Sequence, residues 1–346
     1  MEFVFDGTGL AGTSTVVFED LYENEVNIAS HAEIRDEGQT IHFPEVKTTA
    51  EDRATKDHVG TAGKETTIID NVRYTNLIPG KEYTVKGTLM NQKTGKPVTV
   101  NGKAVTSGKK FTAQKAGGTV EMAFTFDASA LKGQTTVVFE DLYYEGIKVA
   151  SHAEITDKDQ TIWHPEIKTT AKDQKSGTKK AEASTEVTIA DTVSYHNLII
   201  GKEYTVKGVL MNKETGKPVY IGLKKVTSEK TFTAKKADGT IEMIFTFDAG
   251  KLEGADVVVF EDLNHNNVLV TSHADLSDKD QTIHFPKKPE KPGTPTETPA
   301  PPKTGDSRKL WPYAVLLAAA GTLAAAIEWK KRKGMDLPED SDNLKE

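Results

Sequence analysis

Residues 120–126 read Val-Glu-Met-Ala-Phe-Thr-Phe, so large apolar side chains alternate with small or polar ones. The same alternation returns at 241–247 as Ile-Glu-Met-Ile-Phe-Thr-Phe. A period of two residues places one set of side chains on one face of an extended strand. Turn signals such as Asn76-Leu-Ile-Pro-Gly80 separate such runs, and no helical pattern interrupts them. The pattern therefore predicts an all-β chain of antiparallel β-sandwiches.

A histidine-containing block repeats along the chain at a constant spacing of 121 residues. Its middle copy reads His152-Ala-Glu-Ile-Thr-Asp-Lys-Asp-Gln-Thr161, and His31 and His273 open the other two copies. A period of this length corresponds to a whole domain. We predict a truncated repeat at 1–46, repeat 1 at 47–167, repeat 2 at 168–286, a proline-rich linker at 287–302 and a C-terminal tail at 303–346.

The first residues of the chain match the middle of a repeat. Met1, Phe3 and Phe5 correspond to Met122, Phe124 and Phe126 at the common spacing, and no signal-peptide pattern precedes them. We therefore expect the truncated repeat to be the closing part of a domain, and the chain to be the C-terminal part of a longer exported protein.

Composition excludes several classes of function. The formal net charge is −7, which argues against nucleic acid or acidic lipid as a partner. The chain has no cysteine, so it can form neither disulfides nor zinc–thiolate sites. The sequence predicts no cofactor and no metal site.

The C-terminal tail combines three features in a fixed order. Pro302-Lys-Thr-Gly305 comes first, and residues 310–327 then form a run of 18 uncharged residues. As a helix this run would measure about 27 Å, close to the bilayer core of about 30 Å. A basic cluster at 330–333 follows, and cytoplasmic flanks of membrane spans are typically basic.

This order resembles the cell-wall sorting signal of Gram-positive surface proteins, in which a Leu-Pro-x-Thr-Gly pentapeptide precedes the apolar span. The resemblance implies that sortase cleaves between Thr304 and Gly305 and joins the chain to peptidoglycan. The protein would then be covalently attached to the cell wall at the cell surface, and 310–327 would cross the membrane only transiently. Pro301 stands where the pattern has leucine. The alternative interpretations are a permanent single-pass membrane span and an apolar core helix.

Several polar residues recur in both complete repeats at positions where alternation does not require them. Threonine and glutamine lie 112 residues apart in each set. The sets are Thr48, Asp70, Glu140, His152, Asp157 and Gln160 in repeat 1, and Thr169, Asp191, Glu261, His273, Asp278 and Gln281 in repeat 2.

The segments that carry these residues resemble the VaFE-type repeats of Gram-positive adhesins. Pro44-Glu-Val-Lys-Thr-Thr-Ala50, Asp70-Asn-Val-Arg-Tyr-Thr-Asn-Leu77, Val137-Val-Phe-Glu140 and the histidine block occur in the order typical of that family. The resemblance implies Ig-like domains that each form an intramolecular Thr–Gln ester. The implied cross-links are Thr48–Gln160 and Thr169–Gln281, assisted by Asp70, Glu140 and His152 in repeat 1 and by Asp191, Glu261 and His273 in repeat 2, with Asp157 and Asp278 at the supporting acidic position.

The choice of threonine depends on the register of the first strand. Val46, Thr48 and Ala50 share one face of that strand, which favours Thr48 over Thr49 and, at the same spacing, Thr169 over Thr170.

The chemistry requires a base and an acid. A threonine hydroxyl is a weak nucleophile unless a nearby group removes its proton, and an amide nitrogen leaves as ammonia only when it is protonated. Two close carboxyl groups can share one proton, and a histidine can transfer one. The reaction occurs once per domain, so it matures the protein and is not enzyme turnover.

The truncated repeat keeps only part of this set: Glu19, His31, Asp36 and Gln39. We expect it not to cross-link and to be poorly folded.

The leading functional prediction is the stalk of a wall-anchored adhesin, built of self-cross-linked spacers. Its partners would be sortase, peptidoglycan and a host ligand bound through an N-terminal head that the sequence does not contain. The alternatives are repeats that bind a host ligand themselves, an enzyme that uses the Glu/His/Asp sets on outside substrates, and pilin-type domains with Lys–Asn isopeptide bonds.

Overall fold

The computed structural model describes residues 1–288, and the strands in this range pair in antiparallel ladders. The truncated repeat contains β1 (Ser14–Val16), β2 (Glu19–Glu23), β3 (Val26–His31) and β4 (Thr40–His42), with short 3-10 helices at Thr8–Leu10 and Glu37–Gln39. Repeat 1 contains β5 (Glu45–Asp52), β6 (Thr66–Thr75), β7 (Glu82–Asn91), β8 (Lys96–Pro97), β9 (Thr99–Val100), β10 (Lys103–Ala104), β11 (Thr106–Thr112), β12 (Gly118–Phe126), a 3-10 helix at Ser129–Leu131, β13 (Thr135–Tyr144), β14 (Ile147–His152) and β15 (Thr161–Trp163).

Repeat 2 has the same elements in the same order. They are β16 (Glu166–Asp173), β17 (Val187–His196), β18 (Glu203–Asn212), β19 (Lys217–Pro218), β20 (Tyr220–Ile221), β21 (Lys224–Lys225), β22 (Thr227–Thr233), β23 (Gly239–Phe247), β24 (Asp256–His265), β25 (Val268–His273) and β26 (Thr282–His284). Strands β5 and β16 begin two residues ahead of the boundaries at 47 and 168 predicted from the sequence.

Each complete repeat is a sandwich of two sheets. In repeat 1 the smaller sheet has the order β12-β6-β5, and the larger has β11-β7-β13-β14, with β15 also paired to β13 and β8 to β7. Repeat 2 has the same arrangement, with β16-β17-β23 facing the sheet that contains β18, β24 and β25. The predicted all-β fold of tandem antiparallel sandwiches is therefore confirmed.

The alternating stretch forms the inner face of the smaller sheet. Val120, Met122, Phe124 and Phe126 on β12 are at most 8% exposed, whereas the residues between them face solvent. They pack against apolar side chains of the opposite sheet, such as Leu89. Burial of this apolar surface, at about 25 cal/mol per Å², is the main favourable contribution to folding.

An asparagine joins each repeat to the preceding one. Asn197 adopts a left-handed backbone conformation with φ 61°, and its side-chain nitrogen donates to the carbonyl oxygens of Gln134 (2.7 Å) and His164 (3.2 Å). Asn76 has φ 59° and donates in the same way to the carbonyls of Thr13 and Phe43. Asparagine tolerates this backbone region better than most residues, which explains why the same residue occupies both junctions.

A partly buried ion pair also links repeats 1 and 2. Asp57 contacts His265 Nε2 at 2.7 Å and Lys202 Nζ at 3.1 Å, and the His265 side chain is only 3% exposed. Although burial opposes both shifts, the contact lowers the pKa of Asp57 and raises the pKa of His265.

The truncated repeat exposes side chains that its complete counterparts bury. Phe5 is 58% exposed and Leu21 is 60% exposed, whereas Phe126 and Leu142 are 8% and 0% exposed. Residues 1–46 contain no strand equivalent to β7, which pairs with β13 in repeat 1, so β2 and β3 pair only with each other. This exposure gives the physical reason to expect poor folding of the truncated repeat.

The linker from residue 289 onward and the predicted sorting signal lie outside the described residues. They include the pentapeptide that begins at Pro301, Thr304, Gly305, the apolar span 310–327 and the basic cluster 330–333. Within 1–288, the structure contains no helix of the length and apolar character needed to cross a membrane.

Candidate functional site

Each complete repeat brings its recurring polar residues together between the two sheets. In repeat 1, Thr48 lies on β5 and Asp70 on β6 of one sheet, whereas Glu140 lies on β13 of the other. Gln160 lies directly before β15. Thr48 is 6% exposed, Glu140 is 1% exposed, and Asp70 and Gln160 are fully buried, so the site is shielded from water.

Hydrogen bonds connect the threonine to one member, and the glutamine to the other member, of a single pair of carboxyl groups. Thr48 Oγ1 donates to Glu140 Oε2 at 3.0 Å, and Gln160 Nε2 donates to Asp70 Oδ1 at 3.3 Å. Repeat 2 repeats the arrangement, with Thr169 Oγ1 to Glu261 Oε2 at 3.0 Å and Gln281 Nε2 to Asp191 Oδ1 at 3.2 Å.

The two carboxyl groups are in contact and are placed to share a proton. Asp70 and Glu140 contact each other, and apart from this contact Asp70 Oδ2 and Glu140 Oε1 have no hydrogen-bond partner among the described residues. Two buried carboxylates cannot both remain charged without a counter-ion, so one proton between them satisfies both orphan oxygens.

Burial sets the protonation of this pair. It raises the pKa of Asp70 to about 7, against the opposing effect of the hydrogen bond to Glu140. Burial and the nearby Asp70 charge raise the pKa of Glu140 to about 10. In repeat 2, burial likewise raises the pKa of Asp191, and burial with the Asp191 charge raises the pKa of Glu261 to about 10. Above about pH 7 the repeat 1 pair therefore carries one proton and one negative charge.

A glycine makes room for the dry packing around Glu140. Gly87 on β7 is the register partner of Glu140, and a Cβ at this position would lie 2.5 Å from Cζ of Phe124. Gly208 opposite Glu261 has the same relation to Phe245. Any larger residue would push the phenyl ring out of its place beside the site.

His152 lies beside Glu140 on the neighbouring strand and is held by Asp157. The two residues His152 and Glu140 are register partners, and His152 Nε2 contacts Asp157 Oδ2 at 2.7 Å. Asp157 also accepts the backbone N–H of Asp159 at 2.8 Å, so it shapes the turn that leads to Gln160. One carboxylate thus fixes both the imidazole and the glutamine segment.

The contact in repeat 2 has the same geometry. His273 Nε2 lies 2.7 Å from Asp278 Oδ2. Although burial works in the opposite direction, the hydrogen bond to His273 lowers the pKa of Asp278.

The backbone brings the two reacting segments into direct contact. The N–H of Ala50, two residues after Thr48, donates to the carbonyl of Asp159 at 2.8 Å. Ala171 and Asp280 pair in the same way at 2.9 Å. The hydroxyl of Thr48 faces the site, whereas Thr49 points to solvent, as the register argument predicts.

The truncated repeat retains half of this arrangement. His31 Nε2 contacts Asp36 Oδ2 at 2.6 Å, and Glu19 is the register partner of His31. Gln39 is only half-buried, in contrast to the fully buried Gln160.

Sequence reasoning assigned no role to several residues that the structure places in specific contacts. His164 is fully buried, and burial lowers its pKa to about 4. The equivalent positions 121 residues before and after His164 hold Phe43 and Phe285. Large apolar residues at both equivalent positions indicate that His164 lies in the core. Asp57, His265 and Lys202 gave no such signal, because their contacts cross between repeats.

Comparison with known protein families identifies the family to which the chain belongs. A family model described as "T-Q ester bond containing domain" matches residues 1–43, 44–164 and 165–285. The chain belongs to this family. Its three T-Q domains match no curated protein.

Two solved structures of a bacterial adhesin from Mobiluncus mulieris, described as containing intramolecular disulfide, isopeptide and ester bond cross-links, are similar to the T-Q domains. Identity is 17% in both, with TM-scores of 0.30 and 0.31 and coverage of 63% and 65% of this chain and 80% and 84% of theirs. A structure named BspA_C_WT is 9% identical with a TM-score of 0.33, covering 65% of this chain and 96% of its own. TM-scores this low carry no argument, and the family assignment depends on the family model alone.

Proposed function

We propose that repeats 1 and 2 each form an ester between their threonine and glutamine side chains, and that the cross-linked domains are the stalk of a wall-anchored surface adhesin. One observation carries the first part of this proposal. In both repeats, the threonine hydroxyl and the glutamine amide are hydrogen-bonded to opposite members of one buried carboxyl pair.

The reaction follows from this arrangement. Thr48 Oγ1 attacks the side-chain carbonyl carbon of Gln160 while Glu140 Oε2 accepts the hydroxyl proton and the proton already held by Glu140 passes to the ionised Asp70. The carbon–nitrogen bond then breaks, and Nε2 takes up one proton and leaves as ammonia. His152, oriented by Asp157, is the group suited to transfer that proton. The products are one ester and one ammonia molecule, and the dry packing protects the ester from hydrolysis.

Mass spectrometry of the full-length chain tests ester formation. We expect its intact mass to be lower than the sequence mass by two ammonia molecules. Trypsin should release the linked pairs 48–53 with 159–168, and 169–172 with 280–287. Thr48→Ala and Glu140→Gln should each leave the first pair unlinked and the second pair linked, because repeat 2 keeps its own complete site.

An unshifted mass would remove the ester proposal. An ammonia loss that persists in both Thr48→Ala and Thr169→Ala, with a lysine-containing linked peptide, would instead establish isopeptide bonds. Fragmentation of peptide 48–53 identifies the reacting threonine.

The position of the cross-links supports a mechanical role. In each repeat the ester would join the first strand of the smaller sheet to the segment that precedes the closing strand. Tension that enters at Thr48 could then leave at Gln160 through covalent bonds, without loading the hydrogen bonds of either sheet. Domains cross-linked in this way are better suited to act as spacers under shear than to bind a ligand.

The order of pentapeptide, apolar run and basic cluster supports sortase-mediated attachment to peptidoglycan at the cell surface. We expect chains released from cell walls by muramidase to end at Thr304 with attached peptidoglycan fragments. Thr304→Ala should leave the chain in the membrane fraction or the medium, and the exposed substitution Thr49→Ala should not change its location. Release of the whole chain with residues 305–346 intact would contradict wall attachment.

A further inference from the structure

One position near the site differs between the two complete repeats. His58 in repeat 1 and Lys179 in repeat 2 lie 121 residues apart in the loop after the threonine strand. Their backbone carbonyls make equivalent hydrogen bonds, accepting from the N–H of Trp163 (2.9 Å) and of His284 (2.8 Å). The backbone is therefore in the same place, and only the side chain has changed.

Lys179 bridges the two segments that carry the reacting residues of repeat 2. Its Nζ donates to the carbonyl of Ala171 at 2.6 Å and to the carbonyl of Asp280. Ala171 lies two residues beyond Thr169, and Asp280 directly precedes Gln281. The ammonium group therefore fastens the glutamine segment to the threonine strand.

The contact made by His58 is different. Its Nδ1 lies 3.1 Å from the carbonyl of Thr161, the residue after Gln160, and its ring lies edge-on to Trp163. Both of these partners belong to the glutamine side of the site.

Lys179 also adds a positive charge near the carboxyl pair of repeat 2. Burial lowers the pKa of Lys179, and the charges of Asp280, Asp191 and Asp278 oppose that shift. Asp191 in turn faces Glu261, Gln281, His273 and Lys179, and its register partners on β16 and β23 are the uncharged Ala171 and Met243.

We propose that Lys179 is a positioning residue for the Thr169–Gln281 cross-link, which makes the ester of repeat 2 form faster and at lower pH than the ester of repeat 1. This proposal rests on the ester formation proposed above. The ammonium group acts in two ways, by holding Gln281 against the threonine strand and by favouring the ionised form of Asp191.

The direction of the pH effect follows from the protonation state of the carboxyl pair that the reaction requires. The carboxyl pair can accept the threonine proton only after it has lost one of its own two protons. In repeat 1, burial raises the pKa of Asp70 to about 7, so the reaction slows as the pH falls below about 7. In repeat 2 burial also raises the pKa of Asp191, and the charge of Lys179 opposes this shift together with Glu261, Gln281 and His273, so we expect the same decline at lower pH.

Both reactions can be followed in one full-length chain. The chain is collected as inclusion bodies, dissolved in guanidinium chloride and diluted into buffers of different pH. Samples are quenched in acid, and the linked peptides of each repeat are quantified after tryptic digestion. Repeat 1 serves as the internal control for repeat 2.

We expect Lys179→Met to slow the second cross-link by about tenfold, equivalent to about 1.4 kcal/mol of activation free energy, and to move its pH profile up towards that of the first. The first cross-link should keep its rate. Lys179→Arg, which keeps the charge, should retain most of the rate. His58→Lys should move the profile of the first cross-link to lower pH, a gain that a folding defect cannot produce.

Equal pH profiles in the unchanged chain, together with an unaffected second cross-link in Lys179→Met, would overturn the role of Lys179. If the unchanged chain gave no linked peptides from either repeat, the ester proposal itself would fail.

Discussion

Replacing Thr48 with alanine is expected to lower the free energy of unfolding of repeat 1 by about 4–5 kcal/mol. The cross-link would close a loop of 112 residues, and in the chain-entropy model such a closure restricts the unfolded chain by about this amount. Hydrogen exchange in increasing urea, resolved by peptide, measures each repeat separately.

Two neighbouring variants control this measurement. Thr49→Ala makes the same chemical change on the exposed face of the same strand, and it should alter the stability by no more than about 0.5 kcal/mol. Thr48→Ser keeps a hydroxyl in place and should restore both the linked peptide and most of the stability. A Thr48→Ala chain as stable as the unchanged one would show that repeat 1 does not depend on a cross-link.

Pulling single chains across repeats 1 and 2 together should give an even larger contrast in the length that is released. With Thr48 joined to Gln160, we expect repeat 1 to release no internal length up to the force that breaks covalent bonds. In Thr48→Ala the 112 residue steps between these positions become extensible, and they should add roughly 370–400 Å at about 3.3–3.6 Å per residue.

Repeat 2 and Thr49→Ala provide the controls in the same experiment. Repeat 2 should stay closed in the Thr48→Ala chain and open only when Thr169 is also replaced. Thr49→Ala should extend like the unchanged chain. Release of several hundred ångströms from the unchanged chain at low force would contradict the load-bearing role.

The fold was predictable because its signals are local and are repeated. Alternation at 120–126 defines a strand with one buried face, and the return of this pattern after 121 residues implies a second domain of the same kind. The prediction that Thr48 faces the site follows from the same period of two, and the structure places its hydroxyl on Glu140. The C-terminal helix predicted at 310–327 lies outside the described residues and stays a prediction.

The remaining features depend on contacts that a period along the chain does not encode. The pairing of Asp57 with His265 joins two repeats through residues far apart in sequence. Lys179 occupies a loop position where repeat 1 has histidine, so comparison of the copies gave no signal for it. The requirement for glycine at position 87 becomes clear only in the structure, where the ring of Phe124 occupies the space that a Cβ would need.

The short distance between successive cross-link positions has a consequence for resistance to peptidases. A cut anywhere between Thr48 and Gln160 would leave two pieces that the ester still holds together. Cleavage of most peptide bonds in a repeat would therefore not divide the molecule. Between the two cross-linked loops, residues 161–168 have no such bypass. In that stretch Thr161, Ile162 and His164 are fully buried and Ile167 is 3% exposed. Most of the stretch in which a single cut would separate repeats 1 and 2 is therefore shielded from an attacking enzyme, and Lys168 is its exposed residue.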